Sequence, residues 1–256
     1  MKLVESIKEA LAAGCTHLDL AEMYGTDDEV AAALAEAKLP RDSLFITHKL
    51  LKSLPDVAGP TRRMIANLNA EYLDLVLIHA PFLPTEAEGK LQQIWQEMEA
   101  LVDSNVVRAI GVSNFRMTDL QYLLSFARIK PAVNQIEIHP YLPQPDLVEF
   151  CKANQIQVAG YSGLMSLSRK KGGPLDPIVQ QLAESKGVSE SQVLMSWGLQ
   201  KDLIIVTTSS KPDRLAECIQ VASSEPLLSP EEINAIDSAG LGLSHREFWK
   251  KEFGAV

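Results

Sequence analysis

The chain has 256 residues and a mass of 28.1 kDa, with 46% hydrophobic and 22% charged residues, a composition that suits a globular protein with a large core and excludes collagen, coiled-coil and disordered classes. The net charge is −9 and the densest basic cluster is only Arg169-Lys170-Lys171, so binding to nucleic acid through phosphate neutralisation is not expected. No apolar run nears the roughly 18–20 residues of a membrane span, Glu5, Lys8 and Glu9 interrupt any signal-peptide core, and Cys15, Cys151 and Cys218 form no C-x-x-C pair, which points to a reducing, cytoplasmic setting.

In chain order, a helix over Leu3–Ala13 opens the sequence and a strand follows at Thr16–Leu20. Asp27-Asp28 then opens a helix over Glu29–Ala37, with acids where a helix N-terminus favours them. A strand at Leu44–Lys49 is followed by Pro60, which precedes a helix ending at Leu68, and by a strand at Leu73–His79. Apolar residues at positions 91, 94, 95, 98, 101 and 102 give Leu91–Val102 a helical period. Next come a strand at Val106–Val112, a helix over Asp119–Ala127 capped by Thr118, and a strand at Ala132–Ile138. Pro145-Asp146 precedes a helix over Leu147–Ala153, ahead of a strand at Gln155–Tyr161. Ser189 caps a helix over Ser191–Leu199, and a strand at Leu203–Thr207 closes the series.

Strands alternating with helices imply right-handed βαβ units and a parallel sheet. The runs LDLVLIH and LIIV are apolar for most of their length, as strands covered on both faces are. A doubly wound sheet and a (β/α)8 barrel both satisfy this pattern. No G-x-G-x-x-G follows the first strand, as a dinucleotide-binding sheet would want. Strand starts spaced by 28, 29, 33, 26, 23 and 48 residues suit the (β/α)8 TIM barrel. A single domain over residues 1–256 is expected, because no linker or low-complexity tract interrupts it. Seven strands are counted instead of eight, and the opening helix reads as the crossover after a first strand. The expectation is a barrel lacking its first strand in this chain and therefore N-terminally incomplete: a shortened gene model, an alternative start or a degenerate copy. Such a barrel has two unpaired edges and lower stability than a closed relative.

In a barrel of this kind functional groups sit at the C-terminal ends of strands. Asp19, Lys49 and His79 occupy such positions, and Tyr24 lies in the loop after Asp19. Strand parity pairs Asp19 with His17, Lys49 with Thr47 and His79 with Leu77, so all three can face the barrel mouth. Alone, each has a plainer use: a turn cap for the aspartate, a core hydrogen bond for the histidine, packing for the tyrosine. A lysine ending a buried strand needs a partner, and Asp19 can supply it. An ion-paired lysine beside a tyrosine is expected to lower the phenol from about 10, and a histidine on the next strand can polarise a carbonyl oxygen. Together they suit proton donation to a carbonyl. No H-E-x-x-H, Cys/His cluster or P-loop is present, so no metal is expected.

The strings HLDLAEMYGTDDEV, FITHKL, LDLVLIHAP, GVSNF, VNQIEIHP, YSGL and TTSSKPDRLAE, in this order, resemble the aldo-keto reductases. TTSSK and the REFWKKEF tail are most similar to the fungal conjugated-polyketone and ketopantoyl-lactone reductase subgroup. The resemblance implies a tetrad of Asp19, Tyr24, Lys49 and His79, with Tyr24 as proton donor, Lys49 tuning it and His79 orienting the substrate carbonyl. It implies NADP(H), with hydride transfer from nicotinamide C4. Ser113, Asn114 and Gln135 match the groups that hold the carboxamide, Tyr161 the aromatic that stacks on the nicotinamide, and Ser162 and Leu164 the loop at the pyrophosphate. At the adenosine end Ser209 and Arg214 keep the family spacing, Thr208 replaces a lysine, Cys218 stands where an asparagine is usual, and Lys211 is displaced by three positions. Arg214 can still grip a 2′-phosphate in bidentate fashion, so NADPH is favoured over NADH.

Ala80 and Gly163 stand where larger residues are common and open space for substrate. The tail over residues 240–256 carries Phe248, Trp249 and Phe253, which either line the substrate pocket or close the outer surface of the barrel. His48 and His139 read as structural. The expected function is an NADPH-dependent carbonyl reductase acting on a small aldehyde or activated ketone, as a monomer. Its rival is a non-catalytic NADP-binding protein on the same fold, favoured by the missing strand and the altered adenosine motif.

Overall fold

The computed structural model describes residues 2–209 and 211–254; Ser210 of the TTSSK run and the last two tail residues lie outside the described residues. Seven strands are present: β1 His17–Asp19, β2 Phe45–Leu50, β3 Leu73–Ile78, β4 Val107–Ser113, β5 Val133–Glu137, β6 Gln157–Tyr161 and β7 Ile204–Val206. Each expected strand is found, shortened or shifted at its ends by up to two residues. The helices are α1 Lys2–Ala12, α2 Asp27–Ala37, α3 Ala58–Asn67, α4 Leu91–Asp103, α5 Met117–Leu124, α6 Pro145–Ala153, α7 Met165–Ser168, α8 Asp176–Lys186, α9 Glu190–Gln200, α10 Pro212–Ser223, α11 Pro230–Gly240 and α12 Lys250–Phe253. No helix among the described residues is long and apolar enough to cross a membrane.

The chain divides into two compact units, residues 1–134 and 135–256. In the first, β1 to β4 pair in parallel in chain order, with Asp19 beside Thr47, Lys49 beside Leu77, and Leu77 beside Gly111. In the second, β6 and β7 pair in parallel, with Ala159 beside Ile204. β5 crosses the division. Strand, helix and parallel strand in repetition is the construction of the (β/α)8 barrel.

The apolar reading of LDLVLIH holds, with all six residues of β3 buried, whereas LIIV is not covered on both faces: in β7 Ile204 is exposed and Ile205 and Val206 are half-buried. The single polar member of β3, Asp74, is buried because three groups satisfy it. Ile46 N donates to it at 2.8 Å and Arg41 Nη2 at 2.6 Å, with Arg108 Nη1 at 3.8 Å. A buried carboxylate so bonded costs little, whereas one without partners would not be tolerated.

Several helix starts differ from expectation, α6 among them, which begins at Pro145 rather than at Leu147. Pro60 lies inside the first turn of α3 rather than ahead of it; it has no N–H to lose there. Thr118 lies inside α5, and the cap is Arg116, whose N–H donates to Asp119 Oδ2 at 2.9 Å. Asp27 belongs to α2 itself. Ser189 does cap α9, its hydroxyl accepting from Gln192 N while Gln192 Oε1 accepts from Ser189 N. Two of the helices missed in the sequence carried start signals all the same. α10 begins at Pro212 and α11 at Pro230, the latter behind a Ser229/Glu232 capping box.

Candidate active site

Strand register brings the first group together. Asp19 ends β1 beside Thr47, and Lys49 lies two residues further along β2, on the same face as Thr47. Lys49 is fully buried, at 0% exposure, and its ammonium is ion-paired with Asp19. Burial lowers the lysine's affinity for its proton, and the Asp19 carboxylate opposes that loss.

Tyr24 closes a short 3₁₀ turn, Glu22–Tyr24, that follows β1. Gly25 ends the turn at φ 63°, where a side chain would strain the backbone. Lys49 Nζ lies 5.4 Å from the centre of the Tyr24 ring. The His79 ring stands edge-on to it at 6.0 Å and 87°. His79 directly follows β3, and its N–H donates to Leu50 O at 2.8 Å.

The electrostatics correct one expectation. Burial and the Asp19 carboxylate push the Tyr24 phenol up to about 12, rather than down from 10. Tyr24 therefore keeps its proton across the neutral range. Burial and the charge of Lys49 push His79 down to about 4, which leaves a neutral imidazole at neutral pH. His48, on the opposite face of β2 from Lys49, is also driven to about 4, mainly by burial. Its Nε2 faces Asp27 Oδ2 at 3.9 Å, in keeping with a structural role.

The end of β4 joins this group. Asn114 Nδ2 donates to His79 O at 2.9 Å and to Ser113 Oγ at 3.0 Å. Asn114 sits at φ 61°, a region asparagine tolerates better than most residues, so the turn and the amide work together. Asp19, Tyr24, Lys49, His79, Ser113 and Asn114 thus gather at the C-terminal ends of four adjacent strands. A protonated phenol, a neutral imidazole and a sealed ion pair can deliver a proton to one oxygen.

Sequence reasoning missed Glu22. Its Oε2 accepts from Leu51 N at 3.0 Å and from Ser53 N at 3.2 Å. The only signal was an acid two residues before the tyrosine.

In the second unit, Gln135 is buried on β5 and Tyr161 ends β6. In the tail, the Phe248 ring meets Tyr161 edge-on at 5.7 Å. Glu137, also missed, holds the tail there. Fully buried, at 0% exposure, it accepts from Glu247 N at 2.8 Å and Phe248 N at 2.9 Å. Phe253 lies under Arg246, 4.2 Å from the guanidinium. Ser162, at φ 64°, accepts Met165 N through its carbonyl at 2.9 Å, and Leu164 caps α7. Ser209 Oγ accepts from Lys211 N at 3.0 Å. Lys211 caps α10 and Arg214 lies in its first turn, both exposed. Among the described residues no cluster of three or more His, Cys, Asp or Glu side chains could hold a metal ion.

Comparison with known proteins gives a consistent picture. The chain is 38% identical over 250 residues to the NAD/NADP-dependent indole-3-acetaldehyde reductase of Schizosaccharomyces pombe, spanning 97% of this chain and 87% of that protein. It is 36% identical to the NADPH-dependent alpha-keto amide reductase of Saccharomyces cerevisiae, spanning 98% of this chain and 84% of that protein. The solved aldose reductase of Schistosoma japonicum superposes with a TM-score of 0.86 at 34% identity, over 96% of this chain and 86% of that one. The model of the Aldo/keto reductase family matches residues 2–240, and the chain belongs to that family.

Proposed function

We propose that this chain is an NADPH-dependent carbonyl reductase in which Tyr24 gives the proton to the carbonyl oxygen. The observation that carries the reading is the cluster of Tyr24, on the turn after β1, with His79 and the Lys49–Asp19 pair at adjacent strand ends. The substrates are small aldehydes or activated ketones such as α-dicarbonyls, cyclic keto-lactones and α-keto amides. The names of the two fungal relatives support that class. The protein is proposed to act as a cytoplasmic monomer.

The residues present fit NADP(H). Ser113 and Asn114 put a buried hydroxyl and a buried amide at the end of β4, a donor and acceptor set suited to a carboxamide. Gln135 and Tyr161 supply a further amide and an aromatic face. Ser162 and Leu164 are assigned to the pyrophosphate. Ser209, Lys211 and Arg214 bring a hydroxyl and two cations to the start of α10, where backbone N–H groups also favour an anion. When bound, the nicotinamide supplies a hydride to the carbonyl carbon.

The chain's own groups handle the other half of the reaction. Tyr24 reaches the step with its proton in place, because its phenol sits near 12. As negative charge grows on the carbonyl oxygen, the phenol hands over that proton and Lys49 stabilises the phenolate left behind. Asp19 keeps Lys49 charged in its buried position. Neutral His79 donates a ring N–H to the same oxygen, fixing its direction without competing for the proton. Asn114 holds the His79 backbone through their 2.9 Å bond.

Tyr24→Phe tests the reading. Turnover is expected to fall roughly 10²–10⁴-fold, with NADPH binding, read by tryptophan quenching, preserved. Undiminished turnover overturns the mechanism. NADPH binding by the unaltered chain, with no turnover over a broad carbonyl panel, would instead favour a non-catalytic NADP-binding protein.

A further inference from the structure

We infer that Glu22 is a positioning residue: its carboxylate clips the turn that carries Tyr24 to the loop leaving the strand that carries Lys49. The inference rests on the reading of Tyr24 as proton donor. It starts from an awkward fact about that tyrosine. Lys49 and His79 sit on or directly beside long buried strands, but Tyr24 is 51% exposed and lies on a three-residue turn beyond β1. The end of β1 is tied to β2 by Leu20 N donating to Thr47 O at 2.8 Å. After that point the turn's own backbone bond is local, from Tyr24 N to Ala21 O at 2.9 Å. On the far side Gly25 is a conformationally free joint.

Glu22 supplies the long-range tie. Both of its hydrogen bonds reach across to residues 29 and 31 positions later in the chain, Leu51 N at 3.0 Å and Ser53 N at 3.2 Å. Leu51 is two residues past Lys49. One carboxylate therefore couples the segment bearing the phenol to the segment bearing the ammonium. The bonds from the two backbone N–H groups also keep the carboxylate charged, against the effect of burial. A charge-assisted bond of this kind is stronger than a neutral one, which suits a tie on a half-exposed turn. Proton transfer depends steeply on geometry, and a shift of about 1 Å can cost roughly 10²-fold in rate.

The test uses Glu22→Ala, Glu22→Asp and Glu22→Gln in the full 256-residue chain, with four readouts. These are carbonyl kcat and KM, NADPH affinity by tryptophan quenching, hydrogen exchange at the Leu51 and Ser53 amides, and titration of the Tyr24 phenol by absorbance against Tyr24→Phe. Glu22→Ala is expected to speed exchange at both amides, lower kcat about 10–100-fold with KM and NADPH affinity nearly unchanged, and let the phenol drop from about 12 toward its ordinary value near 10. Glu22→Asp, one methylene too short, is expected to behave like Glu22→Ala. Glu22→Gln keeps an acceptor oxygen at the right reach and is expected to restore most of kcat.

Faster exchange at both amides with kcat and the phenol unmoved overturns the inference, since Glu22 would then only fasten a loop. Equal losses in Glu22→Gln and Glu22→Ala that track a fall in Tm also overturn it. If the unaltered chain reduces no carbonyl, the proton-donor reading falls, while exchange and the phenol titration still decide whether Glu22 fixes the tyrosine.

Discussion

Cations are placed in opposite ways in two regions of this molecule. At the ends of β1 to β3, Lys49 is sealed from water and held by Asp19. At the start of α10, Lys211 and Arg214 stand exposed. A buried charge is costly and must be partnered, but it acts on its neighbours through a low dielectric. An exposed charge costs almost nothing and is screened by salt. The first arrangement suits a group that tunes proton transfer. The second suits a group that only has to attract an anion.

The sharpest way to break this contrast is Lys49→Met. Turnover is expected to fall about 10²–10³-fold or more, and stability to fall because Asp19 loses its cationic partner. Adding Asp19→Asn should restore part of the stability and none of the turnover. Urea unfolding and steady-state kinetics check both. A Lys49→Met variant with normal turnover would mean that the buried cation has no part in the reaction.

Acid should separate the regions next. His48 and His79 sit at about 4 in the folded chain, against about 6.5 when unfolded. Between those values the unfolded chain binds more protons, so stability is full above pH 6.5 and declines as pH falls toward 4. The limit is roughly 3 kcal/mol for each histidine. Urea midpoints at pH 7 and pH 5 measure the decline. His48→Asn should remove part of it, the rest staying with His79 and with His17, which burial also lowers, whereas Arg214→Ala should leave it intact. A midpoint that does not move between the two pH values would show that burial does not hold these imidazoles neutral.

The smallest effect is expected at the exposed cations. Arg214→Ala should weaken NADPH binding about tenfold and NADH binding far less. That loss should shrink as ionic strength rises. A loss confined to turnover, or one indifferent to salt, would contradict an electrostatic role for this end of α10.

Much of the molecule was legible in its residue order. The strands could be read because apolar, β-branched runs recur with helical stretches between them, and each of the seven is present. The closeness of Asp19, Lys49 and His79 could be read because each ends a strand at a parity that lets it face the same side. Helices such as α10 and α11 were passed over although Pro212, Pro230 and the Ser229/Glu232 pair mark their starts. Residue type alone makes Thr118 the cap of α5, whereas the pairing of Arg116 with Asp119 puts the cap at Arg116.

What the sequence determined by itself was local: the strand periods, the parity that puts Asp19, Lys49 and His79 on usable positions, and the motifs of the family. Tertiary structure decided whatever depends on partners far along the chain. The phenol of Tyr24 moves up rather than down because burial, and after it the Asp19 carboxylate, disfavour the charged form. Glu22 and Glu137 became visible only when their carboxylates met backbone N–H groups about 30 and 110 residues away. Asp74 is acceptable within β3 only because Ile46 and Arg41 reach it. Periodicity records which face a residue takes; the charge it carries and the backbone it holds are set by neighbours that only folding brings within hydrogen-bonding distance.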